Sequence, residues 1–119
     1  MAFRFFNFPV YQKSREFYRD ICNLTKKFPI EEKYILVSQI KRAALSIILN
    51  IAEGSDRGSD KDFNRYLIIS LGSLNEVMAC LDIALNNNYI IQEDFRIYYK
   101  KATELSNQLA GFSRKLKNS

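Results

Sequence analysis

Histidine is absent from this sequence, and its absence excludes several kinds of active site. Without histidine there is no Ser-His-Asp triad, no His-ligated zinc and no carboxylate-histidine dimetal site of the kind that helical bundles carry. Cysteine is scarce: Cys22 and Cys80 lie outside any CxxC pattern, and no histidine can activate either thiol. We therefore expect two reduced thiols packed as small apolar residues, no cofactor, no metal and no catalysis.

Long hydrophobic runs are also missing. The longest apolar stretch, residues 43–52, is interrupted by Ser46 and Asn50 and is too short to span a bilayer. The N-terminus is aromatic but lacks the charged region and long apolar core of a signal peptide. We expect a cytoplasmic protein that does not contact a membrane.

Size and charge indicate one small basic domain. A chain of 119 residues forms a single domain, here 1–119, that buries about two thirds of its surface and needs no disulfide or metal. Lys and Arg number 18 against 13 Asp and Glu, which gives a net charge of +5. This excess is a weak indication of an anionic partner such as nucleic acid (RNA or DNA) or a membrane.

Apolar residues recur at alternating spacings of three and four, which predicts helices that pack along one seam. The sequence predicts an N-terminal arm, 1–9, followed by helices at about 10–28, 31–53, 59–86 and 92–117. Short connections make consecutive helices antiparallel neighbours, so the expected fold is all-α, an up-down-up-down four-helix bundle. The seam of helix four, for example, consists of Phe95, Tyr98, Ala102, Leu105, Leu109, Phe112 and Leu116.

The expected helix ends depend on a few residues. Pro9 favours the start of helix one, and Pro29 ends it. Glu31 and its acidic neighbour suit the first turn of helix two, and Gly54 is expected to cap its C-terminus. Ser59 is the expected N-cap of helix three.

Helix two is apolar on more than one side. Leu45 and Leu49 lie nearly opposite its core face. On helix three, Ile68 and Ile69 are apolar residues beyond those required to pack along a single seam. One interpretation is scattered surface residues; the other is an interface with further copies of the chain. Gly72, in the middle of helix three, costs about 1 kcal/mol relative to Ala and predicts close approach of another backbone.

A narrow polar stripe follows helix two, with Glu76 of helix three expected beside it. In one interpretation Arg42 pairs with Glu76, and Asn50 and Glu53 complete a buried network that fixes helix register. In the other, the stripe lines a shared cleft or pore. The stripe consists of Gln39, Arg42, Ser46, Asn50 and Glu53.

Basic residues form a ridge at the start of helix three. Arg57, Lys61 and Arg65 are spaced i, i+4 and i+8, a pattern that mild mutual repulsion does not favour for helix stability alone. The alternatives are a solvated face and a phosphate-binding ridge, for which Lys41 of helix two is a fourth candidate. The basic tail is explained by the dipole of helix four and consists of Arg114, Lys115 and Lys117.

The N-terminal arm carries four phenylalanines and Arg4 within residues 3–8. A hydrophobic strap across its own bundle or a neighbour's is the favoured interpretation, and stacking on nucleic-acid bases is the alternative.

Several segments together resemble a known family. They are Tyr11-Gln12-Lys13, Leu24-Thr25-Lys26-Lys27-Phe28-Pro29, Ser38-Gln39-Ile40-Lys41-Arg42-Ala43-Ala44, Asn50-Ile51-Ala52-Glu53-Gly54, the series Arg57, Phe63, Arg65 and Leu67, and Leu71-Gly72-Ser73-Leu74-Asn75-Glu76. The pattern is similar to bacterial four-helix-bundle proteins first described as 23S rRNA intervening-sequence proteins, named in places as a ribosomal protein family. The accessory variability protein of diversity-generating retroelements is also similar.

The resemblance implies an antiparallel bundle that assembles as a ring, commonly a pentamer, with a basic surface proposed to bind nucleic acid. It supplies no catalytic residues. The family usually has proline at the position of Ile48, so helix two is expected to be straighter here. Two functions stay open: nucleic-acid binding by a self-assembled bundle, and a scaffold or accessory role through a protein partner.

Overall fold

The computed structural model describes residues 2–118, and within that range every regular element is helical. The all-α, four-helix prediction is confirmed. Met1 of the predicted arm and Ser119 at the end of the predicted domain lie outside the described residues. The four α-helices are α1 (Pro9–Leu24), α2 (Leu36–Gly54), α3 (Asp60–Asn86) and α4 (Gln92–Lys117), and 3-10 turns cover Arg4–Asn7, Thr25–Lys27 and Ile30–Glu32.

Contacts at both ends give the relative direction of α1 and α4. The rings of Phe8, just before α1, and Phe112, near the end of α4, are 5.3 Å apart. At the other end, Lys27 Nζ lies 2.8 Å from Asp94 Oδ1 in the first turn of α4. The start of each helix therefore faces the end of the other, and the two run antiparallel.

The same reasoning applies to the remaining neighbours. Ser73 Oγ of α3 donates to Ser46 Oγ of α2 at 2.9 Å, and the end of α2 lies against Tyr66 near the start of α3. The rings of Phe63 and Phe112 are 5.2 Å apart, so the start of α3 faces the end of α4. Each pair is antiparallel, and the bundle measures 45 × 23 × 20 Å.

The core lies between the four helices and is almost entirely apolar. The hydroxyl groups of buried serines donate to backbone carbonyls. Ser14 Oγ donates to the Val10 carbonyl within α1 at 2.7 Å, and Ser70 Oγ of α3 donates to the Ile47 carbonyl of α2 at 2.9 Å. Within residues 2–118 no buried side-chain N or O atom is without a hydrogen-bond partner. The most completely buried apolar side chains are Ile21, Ile40, Ile47, Ile51, Phe63, Leu67, Val77, Leu81 and Leu109.

Several helix ends agree with the sequence. Pro9 begins α1, and Ser59 caps α3 by accepting the Asp62 N–H at 3.2 Å. The asparagine run ends α3 at Asn86, and Asn88 adopts a left-handed φ of 62°, which asparagine tolerates. Helix four has the predicted bounds. Ile48 is buried within an uninterrupted α2.

Two predicted helix ends are wrong. Helix one changes to a 3-10 turn after Leu24, where the Thr25 hydroxyl donates to the Cys22 carbonyl at 2.8 Å, rather than continuing to residue 28. Helix two begins at Leu36, five residues later than predicted. Glu32 belongs to a preceding 3-10 turn, where its carboxylate accepts from Tyr89 Oη at 2.8 Å and from the Leu36 N–H at 3.4 Å.

The predicted role of Gly54 as a helix cap is wrong, and the backbone expected close to Gly72 is not found within this chain. Gly54 is not a left-handed cap, since none of the described glycines has positive φ. It is buried, and a Cβ atom there would lie 2.6 Å from Cβ of Tyr66. Gly72, expected to meet another backbone, has nothing within 4 Å of such a Cβ. Close helix packing within the chain therefore occurs at Gly54 rather than at Gly72.

The N-terminal arm packs on its own bundle. Arg4 donates twice to the Ser55 carbonyl, from Nε at 3.0 Å and from Nη2 at 2.8 Å. Its guanidinium lies 5.6 Å from the centre of the Phe63 ring, and the Phe5 and Tyr11 rings are 4.9 Å apart. The arm thus closes over the junction between α2 and α3.

By length and composition α3 is apolar enough to cross a membrane. Core helices of globular proteins pass the same test, and α3 packs against both α2 and α4 through its buried residues, among them Phe63, Leu67 and Val77.

Candidate assembly and nucleic-acid surfaces

Among the described residues, five large apolar side chains on α2 and α3 are 39% to 55% exposed; Ile83 lies apart near the end of α3, and the other four lie closer to the Ser46–Ser73 hydrogen bond. The Ser46–Ser73 hydrogen bond shows which residues of α2 and α3 lie at the same height along the two helices. Leu49 follows Ser46 by three residues and Ile69 precedes Ser73 by four, so in an antiparallel pair both lie about one turn from that bond in the same direction. We call this set the apolar surface: Leu45, Leu49, Ile68 and Ile69.

Gly72 lies on the exposed side of α3 within the same surface. It follows Ile68 by four residues, which places it one turn further along the same face. Because no atom of the chain comes within 4 Å of a Cβ at this position, the fold of one chain does not require glycine there. Bulky apolar side chains therefore flank a stretch of bare helix backbone.

The predicted polar network lies at the exposed edge of the α2–α3 contact rather than in the core. Gln39 Nε2 donates to the Glu76 carboxylate. Asn50 Nδ2 donates to the Ser46 carbonyl at 2.9 Å and to Ser46 Oγ at 3.0 Å, and Ser46 in turn accepts from Ser73. The network joins the two helices and fixes their register, and its members Ser46, Asn50 and Ser73 are half-buried.

The predicted pairing of Arg42 with Glu76 is wrong. Arg42 is exposed and makes no ion pair within the described range, because Gln39, about one turn earlier, already bonds Glu76. Glu53 does not take part in this network. Its carboxylate accepts from Arg57 Nη2 at 2.6 Å.

The predicted ridge is divided by the start of α3. Arg57 lies before the Ser59 N-cap, so it does not continue the helical row. Its guanidinium pairs with Glu53 and lies 4.8 Å from the Tyr66 ring centre. Lys61 and Arg65 do lie on α3, and Arg65 is 3.5 Å from Asp62.

The structure brings the remaining ridge residues beside the basic tail. Ser113 of α4 hydrogen-bonds Asn64 of α3. Lys61 lies one turn before Asn64 and Lys117 one turn after Ser113, so in antiparallel helices both point to the same end of the bundle. Sequence reasoning missed this because each basic group was explained on its own helix. We call the combined surface the basic end: Lys61, Arg65, Arg114 and Lys117.

Lys41 does not belong to the basic end. It is half-buried near the start of α2 and lines a shallow pocket at the opposite end of the bundle, together with Thr25, Lys26 and Lys33.

Both cysteines are free thiols. Cys22 is half-buried and Cys80 is buried, where desolvation, and to a lesser extent the nearby Glu76 carboxylate, raise the pKa of the Cys80 thiol. A raised pKa keeps the thiol protonated at neutral pH. Between residues 2 and 118 no group of three His, Cys, Asp or Glu side chains is placed to hold a metal ion.

These features define an antiparallel helical bundle whose polar groups lie on open surfaces rather than in an enclosed site. A model of the family described as "23S rRNA-intervening sequence protein" matches residues 7–111, and the chain belongs to this family. The assignment confirms the resemblance seen in its Asn50–Gly54 and Gly72–Glu76 motifs.

A solved structure agrees with this assignment. The crystal structure of a protein of unknown function from the S23 ribosomal protein family of Bacteroides thetaiotaomicron VPI-5482 is 32% identical, with a TM-score of 0.79. The match covers 87% of this chain and 97% of that chain. No curated protein matches the chain. Neither the description of the family nor that of the solved structure names a reaction.

Proposed function

We propose that this protein is a non-catalytic, cytoplasmic bundle that self-associates through its apolar surface and binds nucleic acid through its basic end. The observation that carries the proposal is Gly72. A mid-helix glycine costs about 1 kcal/mol relative to alanine, and no contact within the chain offsets that cost. Close approach of a second chain to the helix backbone explains why glycine occupies position 72.

The residues around Gly72 support a contact between copies. Full burial of an exposed Leu or Ile side chain contributes about 1.5–3 kcal/mol, and the four side chains of the apolar surface, which are 39% to 55% exposed, have about half of that still to gain in a contact between chains. Contiguous exposed apolar groups of this kind are typical of protein interfaces. In a ring two different parts of the surface meet, so Leu49 of α2 in one chain packs on Ile68 of α3 in the next. The pentamer implied by the family resemblance is the favoured ring.

The basic end supports nucleic-acid binding. Within residues 2–118, neither Lys61 nor Lys117 makes an ion pair, and Arg65 has one exposed carboxylate 3.5 Å away. Cations that protein carboxylates do not neutralise are available to phosphates. A ring repeats this surface once per subunit, which multiplies the phosphate contacts of one assembly.

Light scattering of the wild-type chain and of Leu49→Arg tests the association. The wild type is expected at several times 13.9 kDa and Leu49→Arg nearer to one chain, with helicity by circular dichroism unchanged. Ile97→Arg on α4 is the matched control, because Ile97 is similarly exposed but lies outside the apolar surface. A wild type that elutes and scatters as a monomer overturns this part of the proposal.

Fluorescence anisotropy with RNA and DNA across a salt series tests the binding. The logarithm of affinity is expected to fall with the logarithm of salt at about −0.9 per neutralised phosphate for duplex. The double variant Lys61→Gln/Lys117→Gln should bind more weakly with a shallower slope, whereas Lys13→Gln/Lys100→Gln should behave as wild type. Absence of binding at about 50 mM salt overturns the nucleic-acid role.

A scaffold function is the alternative, and one observation favours it. Ile30, Tyr34 and Ile35 are each at least 70% exposed in the connection between α1 and α2. Such side chains fit a protein partner better than a phosphate backbone. If nucleic acid does not bind, cross-linking from this connection in cells is the experiment that identifies a partner.

A further inference from the structure

A pocket lies at the end of the bundle opposite the basic end, where α1 finishes and α2 begins. Its base is apolar and includes the buried ring of Phe28. Three lysines from three separate segments border it: Lys26 from the turn after α1, Lys33 from the turn before α2, and Lys41 from α2 itself. The complete lining is Thr25, Lys26, Phe28, Pro29, Ile30, Lys33, Val37 and Lys41.

The acidic side chains of this region do not neutralise these lysines. Within residues 2–118, none of Lys26, Lys33 and Lys41 has a carboxylate oxygen within 4 Å. Asp94 pairs with the neighbouring Lys27 at 2.8 Å instead. Glu32 is held by Tyr89 Oη and the Leu36 N–H.

The remaining nearby groups leave the pocket positive as well. Glu31 is exposed and makes no ion pair with the lysines that line the pocket. Lys33 Nζ lies 5.4 Å from the ring centre of Tyr34, a contact that leaves its charge in place. Lys41 is half-buried on α2, and it makes no ion pair within residues 2–118.

We propose that this pocket binds the phosphate group of a nucleotide. Within residues 2–118 no carboxylate oxygen lies within 4 Å of the ammonium groups of the three lysines that line the pocket, so a phosphate gains charge-assisted hydrogen bonds there without breaking an ion pair. The apolar wall of Val37 and Ile30 beside the lysines accommodates the sugar or base attached to the phosphate. The site is independent of the basic end and does not require the function proposed for it.

A nucleotide phosphate has two sources, a free mononucleotide and a nucleic-acid strand. Titration of ¹⁵N-labelled protein with AMP tests the first, and anisotropy with a single-stranded oligonucleotide tests the second. Saturable shifts of the amides of Thr25, Lys26 and Lys41 are expected with AMP if a free nucleotide binds. If the strand is the source, AMP shifts are small and Lys41→Gln weakens oligonucleotide binding about tenfold.

Lys100→Gln is the matched control, because Lys100 is an exposed helical lysine outside the pocket and the variant changes net charge equally. A nucleotide site predicts a larger effect of Lys41→Gln than of Lys100→Gln with at least one probe. Equal effects of both variants, or no response to either probe at millimolar concentration, overturn the proposal. AMP shifts that persist in Lys61→Gln/Lys117→Gln separate this site from the basic end.

Discussion

Gly54 of α2 lies so close to Tyr66 of α3 that the space between them admits no side chain at position 54. A Cβ atom at position 54 would be 2.6 Å from Cβ of Tyr66 and 2.9 Å from Cδ1 of Phe63. Both are atoms near the backbone or in a buried ring, so neither can move without displacing α3. The end of α2 therefore depends on the absence of a side chain at this position.

Gly54→Ala is expected to lower the free energy of unfolding by about 1–3 kcal/mol, because the added methyl group overpacks the helix contact. Chemical denaturation measures the change. In an association-deficient background such as Leu49→Arg, Gly72→Ala is the matched control. There it should raise stability by up to about 1 kcal/mol, since its Cβ would meet no atom of the chain. Equal losses for both glycines would contradict this account of Gly54.

Gly72→Leu is expected to weaken self-association while leaving the monomer folded. A leucine here occupies the space above the helix backbone that the proposed neighbouring chain fills. Light scattering over a concentration series measures the change in apparent mass. Asn107→Leu places the same side chain on an exposed position of α4, outside the apolar surface, and serves as control. If Gly72→Leu assembles as the wild type does, the neighbour does not contact this backbone.

Lys27 and Asp94 provide a pH-dependent contact between the ends of α1 and α4. The Lys27 ammonium, with a smaller contribution from the Ile91 N–H, lowers the pKa of the Asp94 carboxyl. A lowered folded-state pKa stabilises the fold above the unfolded value of about 3.9, and this contribution is lost as pH falls through the folded pKa.

Lys27→Gln should therefore raise the pKa of Asp94 towards its usual range and lower stability at pH 7. The difference from wild type should shrink as pH falls through the folded pKa of Asp94, because protonation removes the charge that pairs with Lys27. Urea denaturation over a series of acidic pH values and NMR titration of Asp94 measure these effects. Lys26→Gln changes the charge equally without touching Asp94, so an equal effect of that variant would argue against the pair.

Arg4→Ala is expected to release the arm and to cost about 1–2 kcal/mol, because Arg4 donates two hydrogen bonds to the Ser55 carbonyl. Faster chymotrypsin cleavage within residues 3–8 measures the release. Arg4→Lys keeps the charge but not the paired donors and should show an intermediate rate. Wild-type cleavage of Arg4→Ala would show that the phenylalanines alone hold the arm.

The sequence predicted the features that depend on local pattern. The four helices, the cap at Ser59, the helix stop at Asn86 and the exposure of Leu49 follow from periodicity and from short-range hydrogen bonding. These signals are complete within one or two turns of the chain. They give the fold class and the exposed apolar residues of the candidate interface.

Features that depend on long-range contacts could not be predicted in this way. Glu32 resembles a first-turn helix acid, yet Tyr89, distant in sequence, holds it in a separate turn. Gly54 resembles a cap because nothing local reveals its distance from Tyr66. The basic end cannot be recognised from the sequence of either helix alone. Its two halves are brought together by contacts between α3 and α4, such as that of Asn64 with Ser113.

The uncharged character of the buried polar groups has a practical consequence. Within residues 2–118 the buried polar side chains are Ser14, Thr25, Ser55, Ser70 and Ser113, and the ion pairs lie at least partly in solvent. Dissolved ions screen exposed pairs, whose contribution is small, and leave the apolar core intact. The salt concentration can therefore be varied widely without unfolding the protein. A loss of binding at high salt then reports on the binding interface rather than on unfolding.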